Sequence, residues 1–236
     1  MQAYDVVMAH VAIVRPPRRV VHPPKSLACP LVTSLPRFVL ASASPARLLT
    51  LRAAGVDPEV AVSGVDESSV TGPAADVALT LAVRKAKAVA SDRPDALVLG
   101  CDSTLELDGE THGKPADAAE AIARWQRMSG RSGVLHTGHC LIDTRSGRQT
   151  AAVASTVVHF GDLDDEDITA YVRTGEPLHV AGAFTVDGLG GAFVESIEGD
   201  YHNVVGLSLP LLRGLMGELG HRFTDLWRPS IRDRGH

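Results

Sequence analysis

Phe38-Val39-Leu40-Ala41-Ser42-Ala43-Ser44-Pro45-Ala46-Arg47 sets a short apolar run directly against a helix-start signal. Phe38 to Ala41 is a short unbroken apolar run and reads as a short strand. Ser44-Pro45 then reads as a helix N-cap followed by proline at the first helical position, where the missing N–H costs nothing. Gly55 ends that helix. A strand that turns directly into a helix opens an α/β chain.

Outward from this junction the alternation continues. Glu59 to Ser63 alternates like a strand, and a long helix is predicted over roughly Ala74 to Ser91. Asp95 to Cys101 is a continuous apolar strand. Thr104 to Leu107 leads into Asp108-Gly109, a hairpin signal. Ala116 to Met128 reads as helix. Leu135 to Asp143 and Gln149 to Phe160 read as paired strands around Ser146-Gly147. Asp164 to Arg173 is a helix closed by Gly175, Ala192 to Ile197 is strand-like, and an apolar helix from about Val204 closes the chain. The expected class is α/β, a mixed twisted β-sheet flanked by helices.

Composition bounds the function. The chain has 236 residues with 23 Lys+Arg against 28 Asp+Glu, a formal net charge of −5, which argues against coating nucleic acid. With 44% hydrophobic and 22% charged residues it is an ordinary globular sequence. No apolar run approaches the roughly 18 residues of a membrane span. Cys29, Cys101 and Cys140 share no C-x-x-C spacing, so neither a disulfide framework nor a thiolate zinc site is expected. A cytoplasmic protein is the expectation. Residues 1–36 stand apart: they hold six of the fourteen prolines and set Arg15, Arg18, Arg19 and Lys25 against Asp5 alone. They read as a basic, flexible extension ahead of one domain over 37–236.

Four features break the rules of a plain α/β core, and such breaks mark function. Ser42, Ser44 and Arg47 put two hydroxyls, backbone N–H groups and a guanidinium at a helix N-terminus, which is an anion site or an ordinary capped helix with a surface arginine. Lys85 falls in the middle of the apolar stripe Ala78, Leu81, Ala82, Ala88 and Val89, so it snorkels to solvent or meets an anion. Asp102 follows the apolar strand ending at Cys101, where a carboxylate holds a metal, takes a proton or caps the chain. Gly109 to Pro115 carries Lys114 but has three residues between its glycines and a proline where a phosphate loop needs Ser or Thr; it is not a P-loop. His136 and His139 lie on opposite faces of a strand, which speaks against zinc.

In order along the chain, Ser42-x-Ser44-Pro45-x-Arg47, Val65-Asp66-Glu67, Lys85-Ala86-Lys87-Ala88, Gly100-Cys101-Asp102-Ser103, Gly113-Lys114-Pro115, Met128-Ser129-Gly130, Glu176-Pro177, Ala181-Gly182-Ala183 and Gly199-Asp200-Tyr201-x-Asn203-Val204-Val205-Gly206-Leu207 form a set. It resembles the Maf family of nucleoside triphosphate pyrophosphatases from about Phe38 to Leu212. The resemblance implies a central nucleotide-binding cleft and hydrolysis of a nucleoside triphosphate to monophosphate and pyrophosphate with Mg²⁺ or Mn²⁺. It further implies removal of non-canonical or modified nucleotides, or a nucleotide-binding role in septum formation with little catalysis, and a homodimer. Carried over by position, Asp102 matches the catalytic proton acceptor, while Glu67, Lys85 and Lys114 match polar cleft residues. Ser42, Ser44 and Arg47 match the phosphate-side loop. Glu67 and Asp102 are the implied metal ligands. Three departures stand out: Ala46 replaces a first arginine, Ser103 replaces a threonine, and Asp187 stands where a pyrimidine-preferring subgroup has glutamine. Ser103 and Asp187 are thereby the positions associated with base choice. An ionised Asp187 only accepts hydrogen bonds, which suits a base edge rich in donors such as that of cytosine or guanine.

Overall fold

The structure is a computed structural model that describes residues 37–228; the expected basic extension over 1–36 lies outside the described residues. In chain order the elements are β1 (Arg37–Leu40), α1 (Pro45–Ala53), β2 (Glu59–Val60), α2 (Ala74–Ala90), β3 (Ala96–Leu107), β4 (Glu110–His112), α3 (Ala118–Met128), β5 (Ser132–Asp143), β6 (Arg148–Phe160), α4 (Asp165–Arg173), β7 (Val194–Glu198), α5 (Tyr201–Val205) and α6 (Leu209–Leu219). One mixed sheet runs β2-β1-β3-β5-β6-β7, with β4 paired to the far end of β3. β1 is parallel to β2 and β3, and the other pairings are antiparallel. The α/β class with a mixed sheet and flanking helices is what the alternation of elements predicted.

Local chemistry explains most boundaries. Ser44 caps α1, its hydroxyl accepting from the Arg47 N–H, with proline in the first turn. Asp108 and Gly109 both have positive φ (56° and 77°), the backbone of a tight hairpin turn between β3 and β4. Three details differ from the sequence reading. β2 keeps only two residues. β3 does not stop at Cys101 but runs on through Asp102, Ser103 and Thr104. The closing helix is two helices, because Gly206 (φ 115°) ends α5 and Ser208 caps α6.

α2 lies on one face of the sheet. Its buried stripe is Ala74, Val77, Ala78, Leu81, Ala82, Lys85, Ala86 and Val89, with Ala86 taking the place expected for the exposed Ala88. Small residues set the spacing: a Cβ on Gly100 would lie 2.3 Å from the Ala82 carbonyl oxygen, and one on Gly138 would lie 2.3 Å from that of Ala78. The opposite face carries the core of Leu40, Leu51, Leu99, Leu141, Leu212 and Met216 from β1, α1, β3, β5 and α6. A further core surrounds Trp125 of α3, which meets Phe160, Tyr171 and Phe193 edge-on at 5.6, 5.5 and 6.0 Å.

His139 of β5 is fully buried and ties the sheet to α6. Its Nδ1 faces the Thr137 carbonyl at 3.0 Å and its Nε2 accepts the Ser208 N–H at 2.9 Å. Burial, with Arg47 adding to it, pushes its pKa down to about 4. The unfolded chain therefore binds a proton here before the folded one does, and stability held above pH 6.5 drains as pH falls toward 4. The size is about 3 kcal/mol. Thermal melts of the protein and of His139→Gln across pH 7 to 4 should show a flatter dependence in the variant; parallel curves would contradict this account.

Candidate active site

β1 ends at Leu40 while its neighbour β3 continues, so the sheet leaves a gap beyond the carboxyl end of β1. Open α/β sheets bind ligands at such places. The N-terminus of α1, the middle of β3, one turn of α2 and the loop after β2 meet there, and Ser42, Gly64, Val65, Glu67 and Lys85 line a cleft between them.

Lys85 sits at its floor. Its ammonium donates to Asp102 Oδ1 at 2.5 Å and lies 2.6 Å from Glu67 Oε1. The side chains of Lys85 and Asp102 are 10% and 11% exposed, and that of Glu67 is 48% exposed. Lys85 therefore does not snorkel out of its apolar stripe but is clamped between two carboxylates. Asp102 does not cap a strand end either; it stands mid-strand, on the face that α2 covers.

The two acids feel this environment differently. For Asp102, burial raises the pKa above the usual carboxylate value and outweighs the attraction of Lys85 and Arg47. For Glu67, burial also raises it, but the Lys85 hydrogen bond and the charges of Lys85, Lys114 and Arg47 prevail and hold it low. Lys114 is exposed on the loop after β4, and its charge reaches Glu67. Cys101, next to Asp102, is fully buried, and burial pushes its thiol up to about 12, so it is no nucleophile.

Arg47 is buried, and its fork is already engaged. Nε donates to the Gly206 carbonyl at 2.7 Å. One terminal nitrogen reaches Ser42 Oγ at 3.0 Å and the Cys101 carbonyl at 2.9 Å; the other reaches Ser103 Oγ at 3.0 Å. The Ser103 hydroxyl donates to Thr137 Oγ1, which donates to the Asn203 carbonyl. Consecutive strand residues point to opposite faces, so Ser103 faces α1 while Asp102 faces α2. Two N–H groups anticipated at the anion site are likewise spent: that of Ser44 on Ser42 Oγ, and that of Arg47 on Ser44 Oγ.

The structure thus brings together Ser42, Ser44, Arg47, Glu67, Lys85, Asp102 and Ser103, with Lys114 within electrostatic reach. Asp187 is not joined to them by a hydrogen bond or ion pair among the described residues; it lies exposed on the segment before the turn Leu189–Phe193. That segment is organised by Glu176, whose carboxylate accepts from Tyr171 Oη, Thr185 Oγ1 and the N–H groups of Leu189 and Gly190. In the sequence Glu176 stood out only as part of the Glu176-Pro177 motif of the ordered set, with no role attached.

Fold and site define an α/β protein whose cleft, at the carboxyl end of parallel strands, holds a buried lysine between two carboxylates. The chain belongs to the family described as Maf-like protein, whose profile matches residues 37–219. Among similar chains is a nucleoside triphosphate pyrophosphatase of Streptomyces coelicolor, 60% identical over 198 residues, covering 82% of this chain and 96% of the relative. Proteins of the same name from Salinispora tropica and Nostoc punctiforme are 62% and 52% identical, covering 82% of this chain in each case and 89% and 99% of the relatives.

Proposed function

We propose that this chain hydrolyses nucleoside triphosphates to the monophosphate and pyrophosphate, as the names of its relatives suggest. The observation that carries the reading is the Lys85 ammonium held by Asp102 and Glu67 at the floor of the cleft. Opening the α–β phosphoanhydride requires a base for the attacking water and positive charge for the leaving pyrophosphate. Asp102, with its raised proton affinity, is the base. Glu67 stays ionised. Lys85 and Lys114 receive triphosphate charge, and Arg47 holds Ser42, Ser103 and the α5–α6 junction in place around them. A regulator that only bound nucleotide would need the cations but no buried carboxylate beside them.

A divalent cation fits the donor set. Lys85 engages one oxygen of each carboxylate, which leaves Glu67 Oε2 and Asp102 Oδ2, hard donors of the kind Mg²⁺ and Mn²⁺ prefer. Among the described residues no three His, Cys, Asp or Glu gather. Two carboxylates with the rest of the sphere from water and phosphate is the usual Mg²⁺ arrangement at phosphate chemistry. When bound, the ion supplies charge neutralisation and acidifies water. Among the described residues no helix is long and apolar enough to cross a membrane.

The test is pyrophosphate release from natural, deaminated and methylated nucleoside triphosphates with Mg²⁺ or Mn²⁺. Equimolar monophosphate and pyrophosphate are expected; binding without release from any nucleotide would leave the regulator reading. The acceptor character of Asp187 favours donor-rich bases, and a clear preference for UTP over CTP and GTP would overturn that part.

A further inference from the structure

Lys114 has an exposed side chain on a short loop, yet the backbone on both sides of it is fixed, and by the same pair of residues. Arg124 of α3 is buried, its side chain only 4% exposed, and donates from one terminal nitrogen to the Gly113 carbonyl at 2.6 Å. From the other it donates to Glu120 Oε1 at 2.5 Å. The second oxygen of Glu120 accepts the Ala116 N–H at 2.8 Å. The carbonyl before Lys114 and the amide after Pro115 are thus both bound to one ion pair, and Pro115 itself is buried. The Gly113 carbonyl also accepts the Gly182 N–H at 3.0 Å.

An i, i+4 Glu–Arg pair on a solvated helix contributes little and needs no further role. This one is different in kind, because the guanidinium is buried and its charge-assisted bond goes to a loop eleven residues upstream. The adjacent Trp125 donates from Nε1 to the Ala183 carbonyl at 2.7 Å, and Ala183 holds a positive φ of 62° rare for a residue with a side chain. α3 therefore anchors the Lys114 loop through Arg124 and the Ala181–Ala183 turn through Trp125.

We propose that Glu120 and Arg124 are positioning residues that hold Lys114 where its ammonium meets the triphosphate. This rests on the pyrophosphatase reading. Neither residue touches the cleft; they act through the Gly113–Ala116 backbone. Misplacing a charged group by about an ångström costs up to roughly a hundredfold in rate, so the loss should be large for residues so far from the chemistry.

A double-mutant cycle separates positioning from plain stabilisation. Lys114→Met should lower kcat/KM by about a hundredfold, and Arg124→Met by about tenfold. In the Lys114→Met background Arg124→Met should cost less than about twofold, since nothing is left to position. Arg124→Lys, which keeps a donor for the Gly113 carbonyl, should restore most of the loss. Glu120→Gln, on a half-exposed side chain, is the companion variant should Arg124→Met fold poorly, and it should show the same loss of effect once Lys114 is gone. Equal losses in both backgrounds, no loss from Glu120→Gln, or unchanged turnover by Lys114→Met would each overturn the positioning role while leaving the reaction in place. Absence of pyrophosphate release by the unaltered protein would overturn the reaction itself.

Discussion

Asp102→Asn should lower the rate of pyrophosphate release by about a thousandfold for every nucleotide the protein accepts. The side chain keeps its shape, and its amide oxygen still accepts from Lys85, so the pair at the cleft floor loses charge but not contact. What disappears is the capacity to take a proton from water, together with one charged donor to the divalent cation. Nucleotide binding should survive, because the cations around the triphosphate remain. Steady-state rates with and without the substitution, beside a thermal melt, decide the matter. A folded variant retaining more than about a tenth of the rate would remove Asp102 from the role of base.

Gly138→Ala should be the most damaging small change in the sheet. The new Cβ would lie 2.3 Å from the oxygen and 2.4 Å from the carbon of the Ala78 carbonyl, and 2.6 Å from the Leu79 nitrogen. All three are backbone atoms of α2, so no side chain can swing aside and the helix must move off the sheet. Overpacking of this kind costs about 1–3 kcal/mol, occasionally more, which lowers Tm by roughly 2–4 °C per kcal/mol in a domain of this size. The damage should reach catalysis as well, since α2 carries Lys85 into its two carboxylates. Gly214→Ala is the control: it lies exposed in α6 with nothing within 4 Å of its Cβ, and should raise stability by up to about 1 kcal/mol. Equal melting points for the two variants would show that the close approach of α2 is not what sets their stability.

Much of this was legible because local chemistry and global role coincide. Ser44-Pro45 marks a helix start whatever surrounds it, and Lys85 declares itself by standing where an apolar stripe requires an apolar residue. The misreadings at β3 and at Arg47 share one cause, satisfaction at long range. Asp102 and Ser103 look like a break between two strands, yet β3 continues because Lys85 answers the aspartate and Arg47 answers the serine. Arg47 looks like a fork held out for phosphate, but its partners at Cys101, Ser103 and Gly206 lie 54 to 159 residues away. The stretch from about Val204 has the composition of one helix, and the local backbone at Gly206 with the cap at Ser208 divides it. Glu120 and Arg124 resemble a surface pair until the loop they hold is placed beside them.

The sheet also implies an order of assembly. β5 and β6 are joined by a four-residue turn and pair along their whole length, whereas β1 must find β3 across some sixty residues that include α1, β2 and α2. Loop closure over that separation is paid before its contacts form, so local pairing leads and distant pairing follows. The expected sequence is an early β5–β6 ribbon and a late β1–β3 seam, with the catalytic gap created only when the seam closes. Pulse-labelled hydrogen exchange during refolding should protect β6 amides before those of β1, and simultaneous protection would refute the order. A chain halted short of that last step would keep most of its sheet and have no active site.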